Sequence, residues 1–135
     1  MYKFDDLYPI IKDEVSKGHT IAIRIHGTSM KPLLKDNTKV LLSKVDEIHI
    51  NDIIFFEREN KEYVIHRVIS IEGDNISFMG DHQTILEKNI KPSQCFAKAI
   101  GYYKKDKLKY FKGIGYKLYL FSLKFKFIRR IYTRC

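Results

Sequence analysis

Residues 52–79 read DIIFFERENKEYVIHRVISIEGDNISFM, and this stretch decides the fold class. Short runs rich in Ile, Val and Phe alternate with polar clusters, which is typical of β-strands separated by turns. The pattern predicts strands over residues 52–57, 62–71 and 76–79. The residues Glu72-Gly73-Asp74-Asn75 favour a tight hairpin turn between the last two. We therefore expect antiparallel strands in this part of the chain.

The same kind of pattern continues on both sides of this stretch. Further strands are predicted over residues 20–25, 38–43 and 96–103, and residues 107–111 are a candidate extension of the sheet. Before them, apolar residues at helical spacing, closed by a glycine, predict a helix over residues 4–17. Many short strands with few helices indicate a mainly β fold, an antiparallel barrel or sandwich.

The charge of the chain is concentrated at its C-terminal end. Residues 104–135 hold eleven Lys or Arg and one acidic residue, whereas residues 1–103 hold fourteen basic and fifteen acidic residues. The net charge of +9 therefore comes from the tail. We divide the chain into a β domain over residues 1–103 and a basic, aromatic tail over residues 104–135.

The tail has the apolar spacing of one helix face. Its apolar residues recur at steps of three and four: Ile114, Leu118, Phe121, Phe125, Ile128 and Tyr132. The alternation from Lys124 to Phe127 would also suit a strand, but the longer window favours a basic amphipathic helix. Its apolar face could pack on the β domain, or it could lie on an anionic membrane surface. Nucleic acid is not the expected partner, although aromatic side chains beside lysines would permit stacking.

Composition excludes several classes of protein. No run of eighteen apolar residues exists, so no transmembrane helix is expected, and the acidic N-terminus does not resemble a secretory signal. Two cysteines, Cys95 and Cys135, are too few for a disulfide framework. No Cys/His quartet exists, and no metal-ligand spacing is present among His19, His26, His49 and His82, so neither a metal nor another cofactor is predicted. The expected location is the cytoplasm, with a peripheral position on the inner membrane face as a further option.

Three short segments carry residues suited to hydrolytic chemistry. Ser29 follows a predicted strand and a glycine, so its hydroxyl can project from a turn, but a serine needs a nearby base to act as a nucleophile. His66 lies inside a predicted strand, and an imidazole can accept a proton near neutral pH. Asp81 follows the next strand and could orient that imidazole, as in a catalytic triad.

These segments and their order resemble the signal peptidase I family and its relatives, the self-cleaving LexA-type repressors. The resemblance runs from about residue 20 to residue 103. Its motifs are Gly27-Thr28-Ser29-Met30-Lys31-Pro32, Asn51-Asp52-Ile53-Ile54-Phe55-Phe56, His66-Arg67-Val68-Ile69 and Gly80-Asp81. It implies a signal-peptidase-like antiparallel β-barrel with an N-terminal helix.

The resemblance also implies roles for individual residues. Ser29 corresponds to the nucleophile, and His66 stands where bacterial members have a lysine base. This substitution resembles the endoplasmic-reticulum and archaeal type, which works with Ser, His and Asp, so that Asp81 would complete the site. The residues around the serine would contact the substrate: Gly27, Thr28, Met30 and Pro32. The main-chain N–H of Ser29 would stabilise the oxyanion.

The chain departs from the family pattern at several positions. Asn51 stands where glycine is usual, and the second acidic position after Gly80-Asp81 falls near Leu86 and Glu87. The usual membrane anchor is missing from the twenty-eight residues before Ser29. The expected role of Arg67 is a structural ion pair or hydrogen bond and not catalysis.

The expected function is that of a serine endopeptidase that cleaves a leader or signal-like peptide with a Ser29–His66 dyad or a Ser29–His66–Asp81 triad. The alternative is a non-catalytic peptide-binding or regulatory module on the same fold, because a fold does not fix a function. Self-cleavage of the repressor kind is a weaker variant, since the N-terminal segment cannot hold a DNA-binding domain.

Overall fold

A computed structural model describes residues 4–134 of the chain, with side chains described for residues 9–124. The helices are α1 (Phe4–Ser16) and α2 (Ile114–Arg134), with a short 3-10 helix at Pro92–Gln94. The strands are β1 (Ile21–Arg24), β2 (Lys39–Ser43), β3 (Ile53–Glu57), β4 (Tyr63–Glu72), β5 (Asn75–Met79), β6 (Glu87–Ile90), β7 (Cys95–Lys104) and β8 (Lys107–Tyr110). The mainly β prediction, with a helix near each end, is confirmed.

The strands form one antiparallel sheet in the order β1-β2-β7-β3-β4-β5-β6, and β8 also pairs with β7. Strand β7 is ten residues long and organises this arrangement. On one side it pairs with β2, and on the other its first half pairs with β3 and its second half with β8. The division after residue 103 therefore falls inside the β7–β8 hairpin.

Strand β3 separates two hydrophobic cores. Ile53 and Phe55 belong to the first core, which also receives residues of α1, β1, β2 and β7. Ile54 and Phe56 belong to the second core, between β3, β4, β5 and β6. Both faces of β3 are therefore buried, which explains why its sequence is an unbroken apolar run and not an alternating one.

Helix α2 does not pack its predicted apolar stripe on the sheet. Ile114 is 79% exposed, Leu118 is 64% exposed and Phe121 is 59% exposed. The half-buried side chains belong to the opposite face: Tyr116, Tyr119, Leu120 and Leu123. Packing of the stripe on the β domain is thus wrong for its first three members, and the side chains of Phe125, Ile128 and Tyr132 lie outside the described residues. Among the described residues, no helix combines the length and apolarity needed to cross a bilayer.

Candidate functional site

Ser29 lies in the turn between β1 and β2, and this turn is fixed by local contacts. Gly27 has a φ of 107°, a left-handed conformation that glycine adopts without strain, and its N–H donates to Asp36 Oδ1 at 2.8 Å. The Met30 side chain is fully buried in the first core. The N–H of Leu34 donates to the Met30 carbonyl at 2.9 Å. Ser29 therefore lies in a fixed turn, between Gly27 in its left-handed conformation and the buried side chain of Met30.

The turn that carries Ser29 packs directly against the Gly80-Asp81 segment. The N–H of His82 donates to the Ser29 carbonyl oxygen at 2.8 Å. A Cβ atom added to Gly80 would lie 2.4 Å from the same oxygen, closer than atoms approach without displacement. Only glycine lets the two segments approach this closely. Two of the three predicted motifs therefore meet in the fold.

His66 lies on β4 and is a buried, neutral base. It pairs with Ile54 of β3, only 3% of its surface is exposed, and its ring meets the edge of Phe56 at 6.1 Å between centroids. Burial lowers the pKa of His66 to about 4, although the negative charge of Glu87 acts in the opposite direction. The imidazole is therefore neutral at pH 7 and able to accept a proton.

His66 does not contact the predicted partners. Its Nδ1 atom is buried without a hydrogen-bond partner. Within the described part of the chain, no hydrogen bond joins Ser29 to His66, and none joins His66 to Asp81. The predicted orientation of the imidazole by Asp81 is thus absent from the structure. Catalytic hydrogen bonds of substrate-free enzymes are often long and tighten when substrate binds, so the geometry leaves Ser29 and His66 as candidates.

Asp81 instead forms a buried ion pair with Arg67. Arg67 Nε donates to Asp81 Oδ1 at 2.8 Å, and its Nη2 donates to Oδ2 at 2.9 Å. Consecutive side chains of a strand point to opposite faces, so Arg67 and His66 face opposite sides of β4. Asp81 bonds to Arg67 and therefore not to the imidazole on the other side of the strand. This is the physical reason why the predicted triad does not form. The expected structural ion pair of Arg67 is confirmed.

The same guanidinium joins two further segments. Arg67 Nη1 donates to the carbonyl oxygen of Asn51 at 2.8 Å and also contacts the Tyr116 hydroxyl at 2.7 Å. Asn51 has a φ of 79°, which explains why a position usually held by glycine accepts asparagine, a residue that tolerates this conformation. Arg67 thus ties β4 to the turn before β3 and to helix α2.

Tyr119 completes the surroundings of Asp81. Its hydroxyl donates to Asp81 Oδ2 at 2.8 Å. Burial raises the pKa of Tyr119, and the neighbouring Asp81 carboxylate raises it further, so the phenol stays protonated and acts as a donor. Hydrogen bonds of Tyr116 and Tyr119 therefore join the first turns of α2 to the Arg67–Asp81 ion pair.

A second ion pair near His66 was not identified from the sequence. Arg58 Nη2 donates to Glu87 Oε1 at 2.8 Å, and Arg58 Nε contacts both carboxylate oxygens. Glu87 raises the pKa of His66 and Arg58 lowers it, so the pair acts on the imidazole with opposing charges. The only sequence signal was that an acidic position of the family pattern falls near Leu86 and Glu87.

The four predicted substrate-binding residues are not equivalent. Gly27, Thr28 and Pro32 are exposed and can contact a ligand. The Met30 side chain is buried in the first core, so contact between Met30 and a ligand would have to come from its main chain. Among the hydrogen bonds of the described residues, none uses the Ser29 N–H, which is therefore available to an oxyanion.

Comparison with known proteins gives the family. The sequence model of the family described as "Signal peptidase, peptidase S26" matches residues 17–118. The chain is also similar to Signal peptidase I V of Bacillus subtilis (strain 168), with 25% identity over 85 residues, which covers 60% of this chain and 51% of that protein. The chain thus spans about half the length of this relative. The matched residues include Ser29, His66, Arg67 and Asp81, and the chain belongs to the peptidase S26 family of signal peptidases.

Proposed function

We propose that the protein is a serine endopeptidase in which Ser29 is the nucleophile and His66 is the general base. The observation that carries the proposal is the contact between the Ser29 turn and the Gly80–His82 segment, at 2.8 Å between His82 N and Ser29 O. A neutral buried imidazole on β4 and an unpaired N–H on Ser29 support it. These are the base and oxyanion donor that acyl transfer needs.

The proposed substrate is a peptide that binds in an extended conformation and is cleaved at an internal bond. Within the described residues, β1 pairs only with β2, so its outer edge offers unpaired main-chain groups just before Ser29. An extended peptide can add to such an edge as a further strand. This geometry would lead the scissile bond to the Ser29 turn. The proposed substrate is a leader or signal-like peptide bound in this extended form.

The proposed reaction has two steps. Ser29 Oγ attacks the scissile carbonyl carbon while its proton passes to His66, and the Ser29 N–H binds the oxyanion. The peptide C–N bond then breaks, His66 returns the proton to the leaving amine, and an ester remains on Ser29. In the second step, water attacks the ester, His66 again accepts and returns a proton, and the acid product leaves.

Asp81 acts in this scheme as a positioning residue. Its two carboxylate oxygens are taken by Arg67 and Tyr119, so it fixes the segment on which the Ser29 turn rests. The charge that raises the pKa of His66 most is that of Glu87, and the Asp81 carboxylate has a smaller effect in the same direction. The proposed site is therefore a Ser-His dyad with remote charge support.

A non-catalytic peptide-binding module is the second candidate. The observation that favours it is the absence of a hydrogen bond between Ser29 and His66 together with the unpartnered Nδ1 atom. The edge of β1 would then bind a peptide without cleaving it. Reactivity of Ser29 distinguishes the two functions.

The test uses a fluorophosphonate probe and a set of peptide substrates with the full chain. We expect the probe to label Ser29, as located by mass spectrometry of the digested protein, and the Ser29→Ala variant to lose both labelling and cleavage. Ser93→Ala, which changes an exposed serine in the short 3-10 helix, should behave as the unmodified protein does. Equal labelling of the Ser29→Ala protein would refute the assigned nucleophile, and an unlabelled protein that binds peptides would favour the binding module.

A further inference from the structure

Helix α2 is apolar on two opposite faces. With 3.6 residues per turn, Tyr116, Tyr119, Leu120 and Leu123 share one face, and Ile114, Leu118 and Phe121 share the other. The first face is half-buried and bonded to the Arg67–Asp81 ion pair. The second face, which we call the outer stripe, is exposed in all three positions. The tyrosine bonds hold the helix so that the outer stripe points away from the sheet.

The surroundings of the outer stripe are basic. Lys117 and Lys124 lie beside it on the exposed surface of α2. The sequence from residue 107 to residue 134 contains no acidic residue. On the tyrosine side of α2, a cavity of about 570 Å³ is lined by Lys35, Lys104, Lys109 and Lys112, and none of the described residues that line it is acidic. The exposed apolar side chains of the outer stripe are thus flanked by lysines, and the described part of α2 carries no acidic residue.

We propose that the outer stripe of α2 inserts into the headgroup region of an anionic lipid bilayer. Aliphatic and aromatic side chains flanked by lysines are the pattern by which a helix lies in the plane of an anionic surface. A second copy of the chain suits the stripe poorly, because two basic faces would repel each other. Nucleic acid also suits it poorly, because Ile114 and Leu118 are aliphatic and offer no stacking surface. Of these three occupants, the lipid surface is the one that suits both the apolar and the basic character.

The consequence concerns where the chain meets its substrate. The face of α2 opposite the outer stripe is hydrogen-bonded to Asp81. The Gly80–His82 segment, which contains Asp81, contacts the Ser29 turn. Insertion of the stripe would therefore place Ser29 a short distance from the bilayer. The docking itself does not rest on the proposed peptidase activity, since no residue of the stripe belongs to the catalytic scheme.

The test is sedimentation of the full chain with vesicles. We expect binding to vesicles of phosphatidylcholine with phosphatidylglycerol, little binding to phosphatidylcholine alone, and weaker binding as salt rises. The double variant Leu118→Ser with Phe121→Ser should bind about tenfold or more weakly. It removes apolar area that insertion into the bilayer would bury, and it leaves the net charge unchanged. Ile85→Ser, which changes another exposed apolar residue outside α2, should bind as the unmodified chain does.

Several results would overturn the proposal. These are no sedimentation with the anionic vesicles, equal binding by the Leu118→Ser/Phe121→Ser protein, or an equal loss in the Ile85→Ser protein. Sedimentation velocity without lipid covers the other occupant: concentration-dependent dimers that disappear in the double variant would assign the stripe to a second copy. Ser29→Ala should bind vesicles as the unmodified chain does, so failure of the peptidase proposal leaves this one standing.

Discussion

At the scale of single residues, His66 couples the proposed chemistry to stability. Burial lowers its pKa to about 4 in the folded chain, whereas an unfolded imidazole titrates near 6.5. Between these values the unfolded chain binds a proton that the folded chain does not, so the free energy of unfolding rises with pH. At about 1.36 kcal/mol per pKa unit, the contribution is about 3 kcal/mol. It is complete above about pH 6.5 and lost as the pH falls toward about 4.

We predict that a His66→Leu variant lacks this part of the pH dependence. Urea unfolding of both proteins between about pH 4 and pH 7 gives the measurement, and the difference between them isolates His66 from the carboxylates. Parallel curves for the two proteins would contradict the burial of a neutral imidazole.

In the unmodified chain, the acid limb of kcat/KM for peptide cleavage should also lie near pH 4, because the free enzyme's base stays neutral above that value.

The arrangement of residues around His66 marks the limit of what the sequence could predict. The motif order identified Ser29, His66 and Asp81 and the expected ion pair of Arg67. It could not show that Asp81 bonds to Arg67, because that depends on which face of β4 each side chain occupies. Glu87 and Arg58 come from different strand ends, so their pairing follows from the sheet and not from local spacing.

At the scale of elements, strands with an alternating or continuous apolar pattern were predictable, and a strand without such a pattern was not. Strands β1 to β5 and β7 carry buried apolar residues at strand spacing, and their predicted and observed bounds agree within one or two residues. Strand β6, Glu87–Ile90, was missed because Ile90 is the only apolar residue of its four, so the sequence there shows no alternation. Helix α2 was predicted, but its apolar period did not reveal which face meets the sheet. Hydrogen bonds of Tyr116 and Tyr119 decide that orientation.

The contact between the Ser29 turn and the segment after β5 gives the prediction at this scale. We expect Gly80→Ala to abolish cleavage and to cost about 1–3 kcal/mol of unfolding free energy, because the new methyl group would meet the Ser29 carbonyl at 2.4 Å. Gly115→Ala is the matched control. A Cβ there meets no atom within 4 Å, and alanine favours the helix by up to about 1 kcal/mol. Equal activity of the Gly80→Ala and Gly115→Ala proteins would show that the contact does not position Ser29.

At the scale of the whole molecule, the Arg67–Asp81 ion pair connects distant parts of the chain. It joins β4, the turn at Asn51, the segment after β5 and helix α2 through bonds between 2.7 and 2.9 Å. Both side chains are almost fully buried. Removing one member of a buried pair leaves the other charge without a partner in a medium of low polarity. Removing one of the two side chains should therefore lower the free energy of unfolding by more than the intact pair contributes to it.

We predict that Arg67→Met costs about 3–5 kcal/mol of unfolding free energy, and that adding Asp81→Leu restores part of that loss. The reason is that the second change removes the carboxylate that the first leaves unpaired. Urea unfolding of the two single variants and the double variant gives the coupling between the residues. Additive losses would mean that the two side chains do not act as a pair. Cleavage by the double variant then tests Asp81: activity that returns with stability would show that the carboxylate takes no part in the reaction itself.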